Sequence, residues 1–157
     1  MAIVAAGIAL TALIYSAITV NQILTTNEQK LVADKLKYAA ELIALYNDPA
    51  MPQLTLIASA LGKDLVTLQP DEANVYLQQN KEEELKIIYI LNFFECMALA
   101  IEKELADEAF LKEHFELIVR VNYQRLRIYI ESQRIEYKSS VPSRKFEALA
   151  KRWDNIT

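Results

Sequence analysis

Apolar side chains fill the first two dozen positions of the chain, and no charged residue occurs from Met1 to Asn27. The run Ala2–Val20, followed by Asn21, Gln22, Ile23 and Leu24, has the length a helix needs to cross the hydrocarbon core, about 20 residues for ~30 Å. No Lys or Arg precedes it, so a retained anchor is expected rather than a cleaved signal peptide. Lys30, Lys35 and Lys37 follow closely, which predicts a C-terminal domain on the cytoplasmic side of the inner (plasma) membrane and a single pass. Within the run, Ala2, Ala5, Ala9, Ala12, Ser16 and Thr19 recur at alternating spacings of three and four. That places six small residues on one row, where helix backbones approach closely in lipid, and predicts homo-oligomerisation through this face.

Beyond the run, Leu31, Tyr38, Leu42 and Leu45 keep helical spacing up to Tyr46, and Asn47-Asp48-Pro49 ends the pattern. A helical stalk is expected over 25–46, between an anchor over 1–24 and a domain over 47–157. In that domain Pro52 suits a first helical turn, and Gly62 is expected to end a short helix over Gln53–Leu61. Lys63–Gln69 reads as a connector. Pro70-Asp71-Glu72 opens another helix, with a break near Gln79-Asn80. Lys81–Leu105 is expected as a buried central helix, because Asn92 and Glu95 interrupt its apolar run and the run is short for a span. Asp107–Lys138 lacks glycine and proline and predicts one long helix or two in sequence. Phe146, Leu149, Ala150 and Trp153 form the docking face of a last helix. The fold class expected is all-α, one N-terminal transmembrane helix plus a cytosolic multi-helix domain.

Composition adds limits. Two glycines and four prolines leave few turns in 157 residues, which disfavours sandwiches and barrels. The one cysteine, Cys96, excludes an intramolecular disulfide and is read as a packing residue in its apolar run.

The stretch Leu91-Asn92-Phe93-Phe94-Glu95 with Ala98 and Ile101, then Tyr129-Ile130 with Arg134, then Phe146-Glu147-x-Leu149-x-x-x-Trp153, resembles a bacterial and phage domain family of unknown function. Its members look like small helical domains, often behind one N-terminal span. The resemblance covers about Lys30 to Trp153 and implies that Asn92, Glu95 and Arg134 are structural partners, Glu95 with Arg134 first. In layout the chain is also similar to CRISPR-associated membrane effectors, which join a membrane segment to a cytosolic domain that binds a cyclic oligoadenylate.

Charge is divided unevenly. Residues 120–157 hold nine Lys or Arg against four Asp or Glu, whereas the preceding residues hold eight against seventeen. Arg120, Arg127 and Arg134 are seven apart, so they share one helical face with Gln124 between them and Lys138 at its end. Guanidinium groups bind phosphate through paired hydrogen bonds, so Arg120, Gln124, Arg127, Arg134 and Lys138 are the candidate site for a small anionic ligand. The competing reading is a solvated face, with Arg127 paired to Glu131. Tyr123, Tyr129, Phe115 and Tyr137 near the row are read as core before base-stacking residues. The acidic remainder would repel duplex nucleic acid.

No catalytic set emerges. His114 has no evident partner, no glycine-rich phosphate loop is present, and the Glu102–Glu116 carboxylates lack the Glu-x-x-His spacing of bundle metal sites. No enzyme, metal or cofactor is expected. The expected function is a homo-oligomeric membrane effector that binds an anionic ligand, a cyclic-nucleotide second messenger of antiviral defence in the layout's terms, and alters its membrane segment. The alternative is an accessory or scaffold subunit of a larger membrane complex.

Overall fold

The structure, a computed structural model, describes residues 2–154, with the side chains of Ser16 and of Ile18 onward. The described residues form six helices and no strand: α1 (Ala2–Tyr46), α2 (Ala50–Leu65), α3 (Pro70–Gln79), α4 (Lys81–Glu102), α5 (Glu108–Glu136) and α6 (Arg144–Trp153).

α1 is one unbroken helix of 45 residues, about 67 Å long. It stops where Pro49 was expected to stop it, and the Asp48 carboxylate accepts a hydrogen bond from Ala50 N (2.9 Å) to start α2. Only its last three turns rest on the domain. Ala39 and Leu42 are buried, and the Tyr46 ring lies 5.1 Å from Phe115 and 5.4 Å from Phe93. The first tie is at Lys35, whose carbonyl accepts from Asp107 N (3.3 Å) and whose ammonium meets Glu104 (3.3 Å). Before it, Ile18, Val20, Ile23, Leu24, Leu31 and Val32 are 51–56% exposed. Among the described residues no helix is long and apolar enough to cross a membrane. The expected span over 1–24 falls mostly on side chains outside the described residues, as do Ala2, Ala5, Ala9 and Ala12. Of that row, Ser16 is exposed and Thr19 half-exposed.

The domain is built around α4 and α5. Ile87, Ile90, Phe94 and Met97 on one side of α4 are fully buried, and α2 and α6 pack against it. α5 is a single helix and carries α2, α3, α6 and the end of α1. Asp107 caps it by accepting from Phe110 N (2.8 Å). α3 begins at Pro70, with Glu72 accepting from Gln69 N (2.9 Å), and the break to α4 falls at Asn80.

Two expectations are corrected. Gly62 does not end α2, which continues to Leu65; a Cβ added there would lie 2.8 Å from Arg125 Cβ and 3.0 Å from Arg125 O. The glycine is there because α2 and α5 cross with backbones nearly touching, and Arg125 then reaches across to the Ser59 hydroxyl. Cys96 is not a core residue either: it is exposed, on the outer side of α4.

Candidate functional site

α5 and α6 run antiparallel, joined by residues 137–143. The face of α6 that touches the core is the one read from its spacing: Phe146, Leu149, Ala150 and Trp153 are all buried, and Phe146 stacks on Phe94 at 4.9 Å. Beside this contact the two helices leave a groove of about 680 Å³. Arg120, Gln124 and Arg127 line it from α5, with Tyr123 and Glu131, while Glu147, Ala150, Lys151 and Asp154 line it from the other side.

The seven-residue row is therefore split three ways. Arg120 and Arg127 point along the groove, but each has a carboxylate near it: Arg120–Asp154 at 3.3 Å and Arg127–Glu131 at 3.7 Å. Arg134 has left the row's solvent face. Its Nε and Nη2 donate to Pro142 O at 3.2 and 3.0 Å, and Nη2 meets Glu147 at 2.7 Å. Lys138 stands past the end of α5 with φ +48° and does not line the groove. Of the five candidate residues, the groove brings together Arg120, Gln124 and Arg127. Gln124, exposed, makes no side-chain hydrogen bond within the described residues.

Glu147 is the hub. It takes Arg134, Lys151 (2.8 Å) and the Tyr123 hydroxyl (2.9 Å). Partial burial pushes its carboxyl upward, but the hydrogen bonds from Lys151, Arg134 and Tyr123 outweigh it and hold the group at about 2. Burial, then the hydrogen bond to Glu147, pushes the Tyr123 hydroxyl up to about 12. The groove as a whole is balanced, three cations against three carboxylates. A phosphate entering it would exchange partners with Glu131 or Asp154 rather than fill an unpaired cationic site.

The suggested Glu95–Arg134 pair is not formed. Glu95 accepts from Lys145 N (3.1 Å) and Phe146 N (2.8 Å), two amides in the first turn of α6. A carboxylate there satisfies donors the helix cannot satisfy itself and meets the positive end of its dipole. Glu95 and Arg134 act on the same element from two sides, Glu95 on the start of α6 and Arg134 on the loop that leads to it. Asn92 is exposed and joins neither. At the other end of α6, Glu108 accepts from the Trp153 indole (2.8 Å) and pairs with Arg152 (2.7 Å).

Sequence reading missed the α6 wall of the groove. Glu147 and Lys151 are four apart, an ordinary surface spacing, and nothing in that spacing tells that Arg134 and Tyr123 arrive from α5.

The family model described as Domain of unknown function (DUF4760) matches residues 2–153. The chain belongs to that family. No curated protein and no solved structure matches it. The DUF4760 match includes the whole of α1 along with the five following helices, so the protruding helix belongs to the same family unit as the domain.

Proposed function

We propose that this DUF4760 protein is a non-enzymatic module of the plasma membrane. In this reading residues 1–24 form the anchor, the following turns of α1 form a stalk, and the five-helix domain faces the cytosol as a binding head. The observation that carries it is the state of α1. The helix continues without a break from Ala2, yet the apolar side chains from Ile18 to Val32 have no covering from the rest of the chain. An isolated helix of this composition in water gains nothing from its apolar side chains, whereas a bilayer or neighbouring helices would cover them. The uncharged run before Glu28 suits lipid, and the lysines after it suit an inside C-terminus. Assembly of several copies through the small-residue row is part of the same reading. Protease added to intact spheroplasts is expected to leave a C-terminal tag intact, and digestion of the tag would contradict the orientation.

One observation favours a ligand-responsive form of this reading. Arg120, Gln124, Arg127 and Lys151 line a single groove whose volume suits a small anionic molecule, a nucleotide second messenger among them. Such a ligand alters the anchors only by preferring one arrangement of the assembly over another. The existing ion pairs weigh the other way, toward a head that docks on a larger membrane complex as an accessory subunit.

A further inference from the structure

The end of α3, the start of α4 and the end of α5 meet around a second cleft. Helical spacing puts Lys81, Glu84, Ile88 and Leu91 on one side of α4, and Gln133, Glu136 and Tyr137 on the last turns of α5. Between them lie two cavities that share Gln133 and Tyr137, one of about 430 Å³ and one of about 250 Å³. The larger is polar: Lys81, Glu84 and Glu136 line it, with the Asn74 and Gln78 amides of α3. The smaller is walled by Ile88, Leu91, Ile130 and Pro142. Tyr129 joins the two, since it lines the smaller and its hydroxyl donates to Glu84 of the larger (3.4 Å).

The fold leaves the polar groups of this cleft largely unused. Gln133 is only 8% exposed, yet its amide nitrogen reaches nothing but Glu136, at the long distance of 3.5 Å. Its carbonyl oxygen accepts no hydrogen bond among the described residues and is not sealed in, so it opens on the cleft. Buried amides are normally bonded, because leaving one unpaired costs stability. Lys81, Glu84 and Glu136 form no ion pair among the described residues. In the α5–α6 groove, by contrast, every cation faces a carboxylate. Burial, then Glu84, pushes the Tyr129 hydroxyl well above its ordinary range, with Tyr137 and Glu136 adding to the effect. Two carboxylates therefore act on one region of the cleft.

We propose that this cleft binds a free α-amino acid with a large apolar side chain. Its ammonium lies between Glu84 and Glu136, and its carboxylate meets Lys81, which opens α4 at the end that favours an anion. An α-amino acid carries both charges on one carbon, and Lys81 and Glu84 are one helical turn apart, about 5–6 Å between Cβ atoms. The apolar side chain enters the smaller cavity past Gln133, whose open oxygen accepts a further hydrogen bond from the ammonium. A zwitterion uses all three charges. A simple amine would leave Lys81 facing a like charge, and a simple acid would leave two carboxylates facing one. The cleft shares no lining residue with the groove and does not depend on the membrane reading.

Titration calorimetry on the full-length protein, in detergent or in solution as it is obtained, tests the assignment with L-phenylalanine and L-leucine. Both are expected to bind. Glycine, 2-phenylethylamine and 3-phenylpropionate lack the side chain, the carboxylate and the ammonium respectively, and each should bind at least roughly tenfold more weakly than L-phenylalanine. Lys81→Met, at an exposed position, should weaken L-phenylalanine roughly tenfold and leave 2-phenylethylamine as it was. Glu136→Gln, also exposed, should weaken both. An unaltered melting temperature shows that each variant is folded, and the ligand series decides the matter even if one is not. No heat with either amino acid would overturn the proposal. So would glycine or 2-phenylethylamine binding as well as L-phenylalanine, or a folded Lys81→Met variant that keeps its affinity for L-phenylalanine.

Discussion

The apolar runs Ala2–Leu24 in α1 and Ile87–Ile101 in α4 invite the same explanation and meet different surroundings. The run in α4 contains a carboxylate, and the fold is arranged to use it: Glu95 turns to the start of α6 and accepts two amides, while Phe93, Phe94, Met97 and Ile101 fill the core around it. The run in α1 contains no charge, and where its apolar side chains are described, Ile18, Val20, Ile23 and Leu24 are each more than half exposed. A charged group inside an apolar run marks a segment that a protein interior covers, because only a protein supplies partners at fixed positions. The α1 run, without charge, places no such demand on its surroundings.

The contrast is broken most severely at Glu95. Glu95→Ala leaves the amides of Lys145 and Phe146 without their acceptor, and hydrogen bonds to a charged group contribute roughly 1.5–3 kcal/mol each. A loss of about 3 kcal/mol is expected in urea unfolding, with loss of the α6 contact, and Glu95→Gln should recover part of it. Arg134→Ala should follow at about 2 kcal/mol, since it frees Pro142 O and one partner of half-buried Glu147. If both variants unfold at the native urea midpoint, the polar clamps on α6 contribute nothing to the fold.

Acid is a gentler test of the same clamp. Glu147 titrates near its ordinary 4.5 in the unfolded chain and at about 2 in the folded one. Its contribution is therefore complete above pH 4.5 and is lost as pH falls from there toward 2. Glu147→Gln should flatten the melting temperature across that window. At the alkaline end the sign reverses: Tyr123 keeps its proton to about 12 when folded, so its contribution is lost as pH rises from 10 toward 12.

The smallest effect on stability is expected at Arg127. Its pair with Glu131 is long and exposed, and Arg127→Ala should change unfolding by less than about 0.5 kcal/mol. That makes it the clean probe of the groove. If the groove takes nucleotides, a thermal shift with cyclic oligonucleotides should fall roughly tenfold or more in apparent affinity in this variant and weaken with salt. No shift in the native protein across such a panel favours the docking role.

Much of this was legible beforehand. Periodicity marked α1, α4 and α6, Pro52 and Pro70 pointed to α2 and α3, Asn47–Pro49 ended α1, and the stretch free of glycine and proline over Asp107–Lys138 left one helix or two open where α5 is one. What escaped depends on which helices meet. Gly62 looked like a stop because glycine often is one, and only the crossing of α2 over Arg125 shows why it sits inside a helix. Cys96 looked buried because its neighbours are, yet 3.6-residue periodicity turns it outward. Arg120, Arg127 and Arg134 share a spacing but not an environment, because the 137–143 loop folds back over the last of them and leaves the others to the groove.

The membrane reading of α1 is tested most directly by washing membranes that carry the full-length chain with alkaline carbonate and with urea. The account predicts that the protein stays in the membrane pellet, and that a chain lacking residues 1–24 moves to the supernatant still folded. Release of the full-length chain by either wash would contradict it and leave protein partners as the cover for α1.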